Sequence, residues 1–182
     1  TIWVAAANGI HRLVADGLIG NDVEEGLASG VVYSVFEDQL GQIWAGTAQG
    51  ISQFHGETDT RAPAVIVPDG INRAEVSPQG DVTFNFAAVD RWKKTDSSRM
   101  LYSYRLDDGP WSILEHTPWI GFRHLPGGAH RVQVRASDRN GNIEQSGVTF
   151  PFHVLKPWYR QGVFHALAFA VLVVIATLVL AV

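Results

Sequence analysis

The sequence contains no cysteine among its 182 residues, and only 18% of them are charged. Without thiols the chain can form no disulfide bond and cannot perform thiolate chemistry. Its net charge is −4 and its basic residues form no cluster, so nothing supports binding to nucleic acid. The lack of cysteine does not by itself separate a cytoplasmic protein from a periplasmic one.

Motifs that carry catalysis are missing as well. The sequence has no phosphate-binding glycine loop and no nucleophile elbow. The adjacent carboxylates Glu24-Glu25 and Asp107-Asp108 would point to opposite sides of an extended chain, so they make poor acid/base pairs. The seven histidines show neither HxH nor HxxxH spacing: His11, His55, His116, His124, His130, His153 and His165. We therefore expect no catalytic site, no cofactor and no metal centre.

One oxygen-rich stretch is the best candidate for a metal site. Asp138, Asn140, Asn142 and Glu144 alternate along the chain and could offer oxygen ligands to Ca²⁺. However, Gly141 is misplaced for an EF-hand loop, and an Asn-Gly hairpin turn accounts for the same residues. We favour the hairpin.

What the sequence does contain is an internal repeat with an offset of 41 residues. The opening IWVAAANGIHRL and the later IWAGTAQGISQF share five of twelve positions. A repeat of roughly 40 residues built from short strands is the period of a β-propeller blade. Trp3 and Trp44 occupy equivalent positions, and we interpret them as packing anchors between blades rather than platforms for a ligand.

The second copy of the repeat predicts a β-meander. Tyr33–Glu37 alternates, which predicts a strand with Tyr33, Val35 and Glu37 on one face. Asp38 begins a turn, and we interpret it as a turn former rather than a metal ligand or an acid catalyst. The strands Gln42–Thr47 and Ile51–Phe54 follow.

The repeat ends after Phe54, and Pro63 and Pro68 mark a linker and a new domain. Several short alternating strands then follow over about 90 residues, which is typical of an immunoglobulin-like or fibronectin-like sandwich. The side chains predicted to face inward are Phe84, Phe86, Tyr102, Tyr104, Val132, Val134, Phe150 and Phe152.

The segment Val163–Val182 is apolar, with no charge and one histidine in twenty residues. That length suffices to cross the bilayer core, which is about 30 Å thick, as a helix. Trp158 and Tyr159 precede it, where interfacial aromatic residues belong. A buried core helix is the alternative, but the segment is uniformly apolar, so we predict a transmembrane helix over 158–182.

The segment YSVFEDQLGQIWAGTAQGISQF resembles the propeller repeat of bacterial two-component regulators. The matching residues are Glu37, Asp38, Gly41, Ile43, Trp44, Gly46, Thr47, Gly50 and Ile51. In the first copy Ala5 and Ala6 replace the Gly-Thr of the pattern, so that copy is the weaker match.

The later strings YSYRLDDGPWS and LPGGAHRVQVRASDRNGN resemble the three-Tyr domain that follows the propeller in the same regulators. His130 stands where that family has its third tyrosine, and an imidazole imitates a phenol only in part. The predicted fold class is therefore all-β: a partial propeller of about one and a half blades over 1–60, a sandwich over 61–157, and the membrane helix. Since a closed propeller has about 4–8 blades, we expect a fragment, cut at both sides.

The resemblance implies the periplasmic, ligand-reading region of a single-pass sensor in the bacterial inner membrane, with a cytoplasmic C-terminus. It implies a histidine kinase as the parent, with a diguanylate cyclase as the alternative, and a homodimer as the working state. It also implies a small extracellular ligand, with oligosaccharides as the leading class, although no residue here identifies the ligand site. Lys156 and Arg160 argue weakly for the opposite orientation, because positive charge prefers the inside.

Two other functions stay open: an adhesion module anchored in the membrane, and a non-catalytic part of an anchored extracellular enzyme. The stretch FHVLKPWYRQG joins the last strand to the apolar segment with almost no flexible linker. A joint without a Gly/Ser-rich linker should transmit displacement. We therefore expect the sandwich to couple the propeller to the membrane helix.

Overall fold

The computed structural model describes residues 1–14, 17–66, 75–91, 95–160 and 162–180. Within these ranges short strands, separated by turns and single-turn 3₁₀ helices, are followed by one long apolar helix, and the predicted fold class is confirmed. Pro68, which the sequence marks as a linker residue, lies outside the described residues.

Two three-stranded antiparallel sheets form the N-terminal third of the chain. The first sheet has the order β1-β2-β3 and the second has the order β4-β5-β6. Their strands are β1 (Ile2–Ala6), β2 (Gly9–Val14), β3 (Gly17–Asn21), β4 (Val32–Glu37), β5 (Ile43–Thr47) and β6 (Gly50–Gln53). The repeat aligns β1 with β5 and β2 with β6, so the two copies fold alike. We call these the two blade sheets.

The blade sheets pack against each other through a small apolar core. Its buried members are Ile10, Val32, Ile43 and Ala45. The ring of Trp3 meets the ring of Phe54 edge to face, with 5.0 Å between centroids. Trp3 is therefore a packing anchor between the sheets, as predicted. Trp44 does something different: its indole Nε1 donates to Asp38 Oδ2 at 2.9 Å.

Asp38 is confirmed as a turn former. Its Oδ1 accepts hydrogen bonds from the backbone N–H groups of Leu40 and Gln42, each at 2.9 Å. The turn closes with a bond from the Gly41 N–H to the Asp38 carbonyl. Together with the bond from Trp44, these contacts occupy both oxygens of the Asp38 carboxylate. The side chain therefore stabilises the β4–β5 hairpin.

Strand β4 corrects one sequence prediction. The register between β4 and β5 shifts between Val32 and Ser34, so the strand contains a bulge. Because an extra residue inverts the alternation on one side of a bulge, Val32 faces the core and Tyr33 is 73% exposed. The prediction that Tyr33 shares a face with Val35 is wrong for this reason.

The other eight strands that the structure describes form a two-layer sandwich. One layer is a four-stranded sheet in the order β11-β13-β14-β8, in which β14 and β8 run parallel. The other layer consists of the pairs β7–β10 and β9–β12. The strands are β7 (Ala64–Ile66), β8 (Glu75–Val76), β9 (Val82–Asn85), β10 (Ala87–Val89), β11 (Leu101–Leu106), β12 (Trp119–Phe122), β13 (Gly128–Ser137) and β14 (Val148–Val154).

The predicted core of the sandwich is confirmed. Six of the eight side chains predicted to face inward are at most 4% exposed: Phe84, Phe86, Tyr102, Val132, Val134 and Phe152. Tyr104 and Phe150 are half-buried against the same cluster. Alternation with a period of two therefore identified both faces that meet in the core.

The helix α1 spans Gly162–Leu180, and none of its described side chains is buried against the rest of the chain. It is long and apolar enough to cross a membrane. Trp158 lies just before it and contacts Phe164 edge to face at 4.9 Å, which ties the preceding 3₁₀ turn (Trp158–Arg160) to the start of the helix.

A glycine at the β1–β2 turn gives the first testable prediction. Gly9 has φ +124°, and a Cβ there would lie 2.2 Å from the Asn21 carbonyl oxygen. Gly9→Ala should therefore lower the free energy of unfolding by about 2–3 kcal/mol, from backbone strain and the forced separation of β2 from β3. Chemical denaturation measures this.

Gly30→Ala is the matched control, because a Cβ at Gly30 has no neighbour within 4 Å. We expect it to change the free energy of unfolding by less than about 0.5 kcal/mol. Equal stabilities of the two variants would contradict the account of this turn.

Candidate functional site

The hairpin between β13 and β14 lies against the first blade sheet and against the segment that follows the second. From β2, Arg12 Nη2 donates to the Asn140 carbonyl at 2.5 Å, and from β3, Asn21 Nδ2 donates to the Arg139 carbonyl at 3.0 Å. On the third side, Asn142 Nδ2 donates to the carbonyl of Asp59, which follows the second blade sheet, at 2.9 Å. The hairpin tip is thus held by three separate parts of the chain. We call this contact the junction.

The hairpin at the junction repeats the turn that follows β4. Asp138 Oδ1 accepts a hydrogen bond from the Asn142 N–H at 2.8 Å, and the Gly141 N–H donates to the Asp138 carbonyl at 3.2 Å. Gly141 has φ +82°, a conformation that favours glycine. The Asn-Gly hairpin predicted from the sequence is confirmed.

The four oxygen donors considered for Ca²⁺ have other partners. Both Asp138 oxygens accept bonds from Asn142, the Asn140 carbonyl accepts from Arg12, and Glu144 accepts from Ser146. Burial raises the pKa of Asp138, and the nearby charges of Asp59 and Asp90 act in the same direction. These contacts belong to a turn, in which the side chains of Asp138 and Asn142 bond to each other.

Arg139 is the polar centre of the junction, where it is 7% exposed. Its Nη1 donates to the Gly20 carbonyl of β3 at 2.9 Å, and its Nε donates to the Arg99 carbonyl at 2.9 Å. Its Nη2 lies 2.6 Å from Nε2 of His116. One planar guanidinium therefore joins the hairpin to a blade sheet and to two other segments of the sandwich.

Arg99 makes a second polar link across the junction. Its guanidinium contacts Asp22 at 3.0 Å, Glu24 at 2.7 Å and Glu25 at 2.8 Å. These three carboxylates lie at the single-turn 3₁₀ helix Val23–Glu25, where Asp22 and Glu25 form a capping box. The pair Glu24-Glu25 thus shares one cation across the junction.

An apolar patch lies beside these charges. Ile19 of β3 packs with Leu101 of β11 and with Leu114, and all three are buried. An apolar centre with a polar network beside it is the arrangement of a specific interface, here between the first blade sheet and the sandwich. No sequence pattern marks Arg99, Arg139 or the three apolar residues of this interface as functional.

A cleft of about 540 Å³ opens beside the junction. Ile10, Ile43 and Phe54 supply its apolar wall, and Glu25, His55 and Arg139 are among its polar residues. A cleft of this size can hold a small molecule. It lies where the two blade sheets and the hairpin tip meet.

The contact between Arg139 and His116 requires an uncharged imidazole. Because a guanidinium only donates hydrogen bonds, His116 Nε2 must accept and therefore carry no proton. Desolvation of the ring lowers the pKa of His116, and the charges of Arg139 and Arg99 lower it further.

Because the pKa of His116 is lower in the folded protein, the unfolded chain binds the proton at a higher pH than the folded chain does. The stabilisation that uncharged His116 contributes is complete above the pKa of the unfolded chain, about 6.5. It is lost as the pH falls through the pKa of His116 in the folded protein. We expect a melting temperature about 2 °C lower at acid pH than at neutral pH, a small shift because the ring is largely exposed. His116→Gln should remove this dependence, which thermal unfolding from neutral to acid pH would test; an unchanged acid limb in the variant would contradict the assignment.

At the other end of the sandwich, β14 leads directly into the segment before α1. The Leu155 N–H donates to the Val76 carbonyl at 2.9 Å, which continues the pairing of β14 with β8 by one residue. Gly127, just before β13, lies against Lys156 so closely that a Cβ there would be 3.1 Å from Lys156 Cγ. Where the chain leaves the sandwich, it is therefore in contact with β8 and with the residues just before β13.

Comparisons with known proteins agree with this architecture. Residues 26–49 match the family model described as two component regulator propeller, so the propeller repeat read from the sequence is confirmed. A comparison with curated protein sequences returns no match.

Among solved structures, the extracellular domain of BT3049, assigned as a hybrid two component system of B. thetaiotaomicron, is similar with a TM-score of 0.56 and 17% identity. The match covers 85% of this chain and 24% of that structure. The extracellular domain of BT4673 from the same organism matches with 16% identity over 86% of this chain and 24% of its own length, and its TM-score of 0.40 is too low to establish a shared fold. The BT3049 likeness shows the fold, and this chain spans about a quarter of the length of either structure.

Proposed function

We propose that this chain is the membrane-proximal part of a sensor whose soluble region lies outside the cytoplasm, and that its sandwich couples the blade sheets to a membrane helix. The observation that carries the proposal is the course of β13. This strand runs from the membrane-side loop at Gly128 to the junction hairpin after Ser137. A ten-residue strand spans about 33 Å, so one element connects the two ends of the sandwich.

Strand β13 is suited to carrying displacement because it is paired on both sides. It pairs with β11 from Leu106 to Leu101 and with β14 from Val154 to Val148. A strand in the middle of a sheet cannot shift without breaking ladder hydrogen bonds, so movement at the junction reaches β14 as a movement of the whole sheet. Strand β14 then leads to α1.

A signal passed in this way needs a source of free energy. A ligand can shift an equilibrium between two arrangements only by its difference in affinity for them, which for ordinary coupling is about 1–3 kcal/mol. The matched propeller repeat supports a ligand-reading role upstream of the sandwich. A homodimer would provide the two arrangements, because a single helix crossing a membrane offers few distinguishable states.

We propose a single-pass topology in the bacterial inner membrane, with the soluble part in the periplasm and the C-terminus in the cytoplasm. The fold shared with an extracellular domain and the apolar helix α1 support this orientation. Alkaline phosphatase fused after residue 182 should be inactive, whereas β-galactosidase fused there should be active. The opposite pattern would overturn the topology.

We propose a small extracellular molecule as the ligand, with oligosaccharides as the first class to test, and a sensor histidine kinase as the parent. The parent's extracellular region should melt at a higher temperature with one member of a glycan panel. If the whole panel leaves the melting temperature unchanged, the carbohydrate assignment fails and the coupling proposal is not affected.

Sequencing the parent gene beyond Val182 tests its class. A helical segment with a phospho-acceptor histidine would support the kinase, and a diguanylate cyclase domain would replace it with the alternative parent. A short basic tail would instead favour a membrane-anchored adhesion module, or part of an anchored enzyme, over a sensor.

A further inference from the structure

The imidazole of His130 lies between two groups that accept hydrogen bonds and have no hydrogen to give. Its Nδ1 is 3.0 Å from Asp107 Oδ2, and its Nε2 is 2.9 Å from the Pro126 carbonyl oxygen. Since a carboxylate and a carbonyl only accept, both ring nitrogens must donate. A neutral imidazole carries one N–H, so both bonds form only when the ring is protonated.

The surroundings keep this ring in place. His130 stacks on Phe152 with ring centroids 5.5 Å apart and an angle of 28° between the planes, and its side chain is only 10% exposed. Asp107 is fixed as well, because its Oδ1 accepts the Arg131 N–H at 2.9 Å. His130 and Asp107 are therefore each held in place by a contact other than the bond between them.

The three groups around the ring come from three segments at the membrane side of the sandwich. Asp107 follows β11, Pro126 precedes β13, and Phe152 belongs to β14 just before that strand ends at Val154. His130 is paired with Phe152 in the sheet, two residues from the Gly128–Val154 pair that closes the ladder. The cluster therefore fastens the end from which the chain leaves for α1.

Other charges near the cluster do not replace Asp107. The Arg131 side chain bonds to Asp108, and Arg131 acts on the cluster mainly through its N–H and its charge on Asp107. His153 and Glu75 are register partners in β14 and β8, and His153 points to the other face of the sheet from Phe152. Lys156 lies beyond Gly127. Within the described residues, Asp107 is the carboxylate that contacts the ring.

We propose that His130 is a proton-operated latch for the membrane-side end of the sandwich. When the ring holds two protons it ties the turn after β11 and the loop before β13 to β14. When it loses one proton, either Asp107 or the Pro126 carbonyl is left without its donor, and this end of the sandwich loosens. The latch would operate whether or not the chain is a sensor; in a sensor it would make coupling to the membrane helix stronger in acid than in alkali.

The direction of the pKa shifts agrees with the geometry. Burial works to lower the pKa of His130, but the bonds to Asp107 and Pro126 and the charge of Asp107 outweigh it and raise the pKa. For Asp107, burial works to raise the pKa, and the bonds from Arg131 and His130 lower it below its usual value. The stabilisation from His130 is therefore complete below the unfolded value of about 6.5 and is lost as the pH rises through the folded pKa.

The test uses the 182-residue chain in lipid nanodiscs and compares it with His130→Gln. From neutral to alkaline pH, the wild-type amides of 125–130 and 152–156 should lose protection about fivefold after correction for intrinsic exchange, and the melting temperature should fall by about 3 °C. His130→Gln should show neither change over the alkaline limb. His153→Gln is the matched control, a histidine one residue beyond the stacked Phe152, and should follow the wild type.

A second measurement keeps the proposal testable if His130→Gln folds poorly. The Cε1–H signal of His130 in the wild-type chain should titrate with a midpoint above the ordinary histidine value of about 6.5. A midpoint at or below that value, or wild-type protection that does not change with pH, would overturn the latch.

Discussion

Arg139→Met is expected to lower the free energy of unfolding by about 3–4 kcal/mol. The substitution removes a guanidinium that is 7% exposed and donates to the carbonyls of Gly20 and Arg99. Both carbonyls would lose the donor that the guanidinium supplies, and leaving a buried acceptor unsatisfied costs about 1–3 kcal/mol. Methionine keeps much of the side-chain volume, so the loss reports the hydrogen bonds more than a cavity.

Arg139→Lys separates charge from geometry. Lysine keeps the positive charge but offers a point donor instead of a planar fork, so it cannot reach Gly20, Arg99 and His116 together. We expect it to recover less than half of the lost stability. Chemical denaturation of the chain in detergent measures both variants.

The matched control is Arg123→Met, an exposed arginine of the same sandwich. It should change the free energy of unfolding by less than about 0.5 kcal/mol. Hydrogen exchange adds a local readout: Arg139→Met should lose protection first in β3 and around Arg99. Equal stabilities of Arg139→Met and Arg123→Met would show that the junction does not hold the blade sheets to the sandwich.

The sequence predicted those parts of the fold that depend on local patterns. Alternation with a period of two identified Phe84, Val134 and Phe152 as core residues, because each strand of a sandwich presents every second side chain to the other layer. The repeat predicted that the two blade sheets fold alike. In agreement, the turn glycines Gly9 and Gly50 occupy equivalent positions in the two copies, and both have positive φ. Both patterns can be seen in the sequence because they involve residues that lie close together along the chain.

No local pattern in the sequence predicts the contacts of the junction. Arg139 and Gly20 are 119 positions apart, and Arg99 and Asp22 are 77 apart, so their contacts exist only once the blade sheets and the sandwich have folded and met. A single arginine in a hairpin turn is usually a solvated charge, and nothing in the letters distinguishes Arg139 from Arg123. The bulge in β4 was missed for a related reason, because the extra residue is defined by its partner strand.

If the sandwich couples ligand binding to the membrane helix as proposed, inserting a flexible Gly-Ser segment between Lys156 and Pro157 in the full-length parent is expected to abolish the response to ligand. The joint is stiff because Leu155 is hydrogen-bonded to Val76, Pro157 fixes the backbone, and Trp158 contacts Phe164 of α1. A Gly/Ser-rich insertion behaves as a random coil, so it would absorb a displacement of β14 before it reached the helix. The blade sheets and the junction lie at the other end of the sandwich and should be unaffected.

The matched control carries the same segment between Gln145 and Ser146, in the exposed part of the β13–β14 connection that lies beyond the hairpin tip and its bond from Asn142 to Asp59. It adds the same length and flexibility without interrupting the path from β14 to α1. This variant should keep a response close to that of the unmodified parent. If both insertions abolished the response, the effect would come from general damage to the sandwich.

The most direct test of the proposed coupling is therefore the output of the parent, measured against the concentration of any ligand found to raise its melting temperature, with and without the insertion between Lys156 and Pro157. Coupling through the sandwich predicts a flat output in the insertion variant, while that ligand still raises its melting temperature as in the unmodified protein. An output curve unchanged by the insertion would show that the signal does not pass from β14 into the membrane helix.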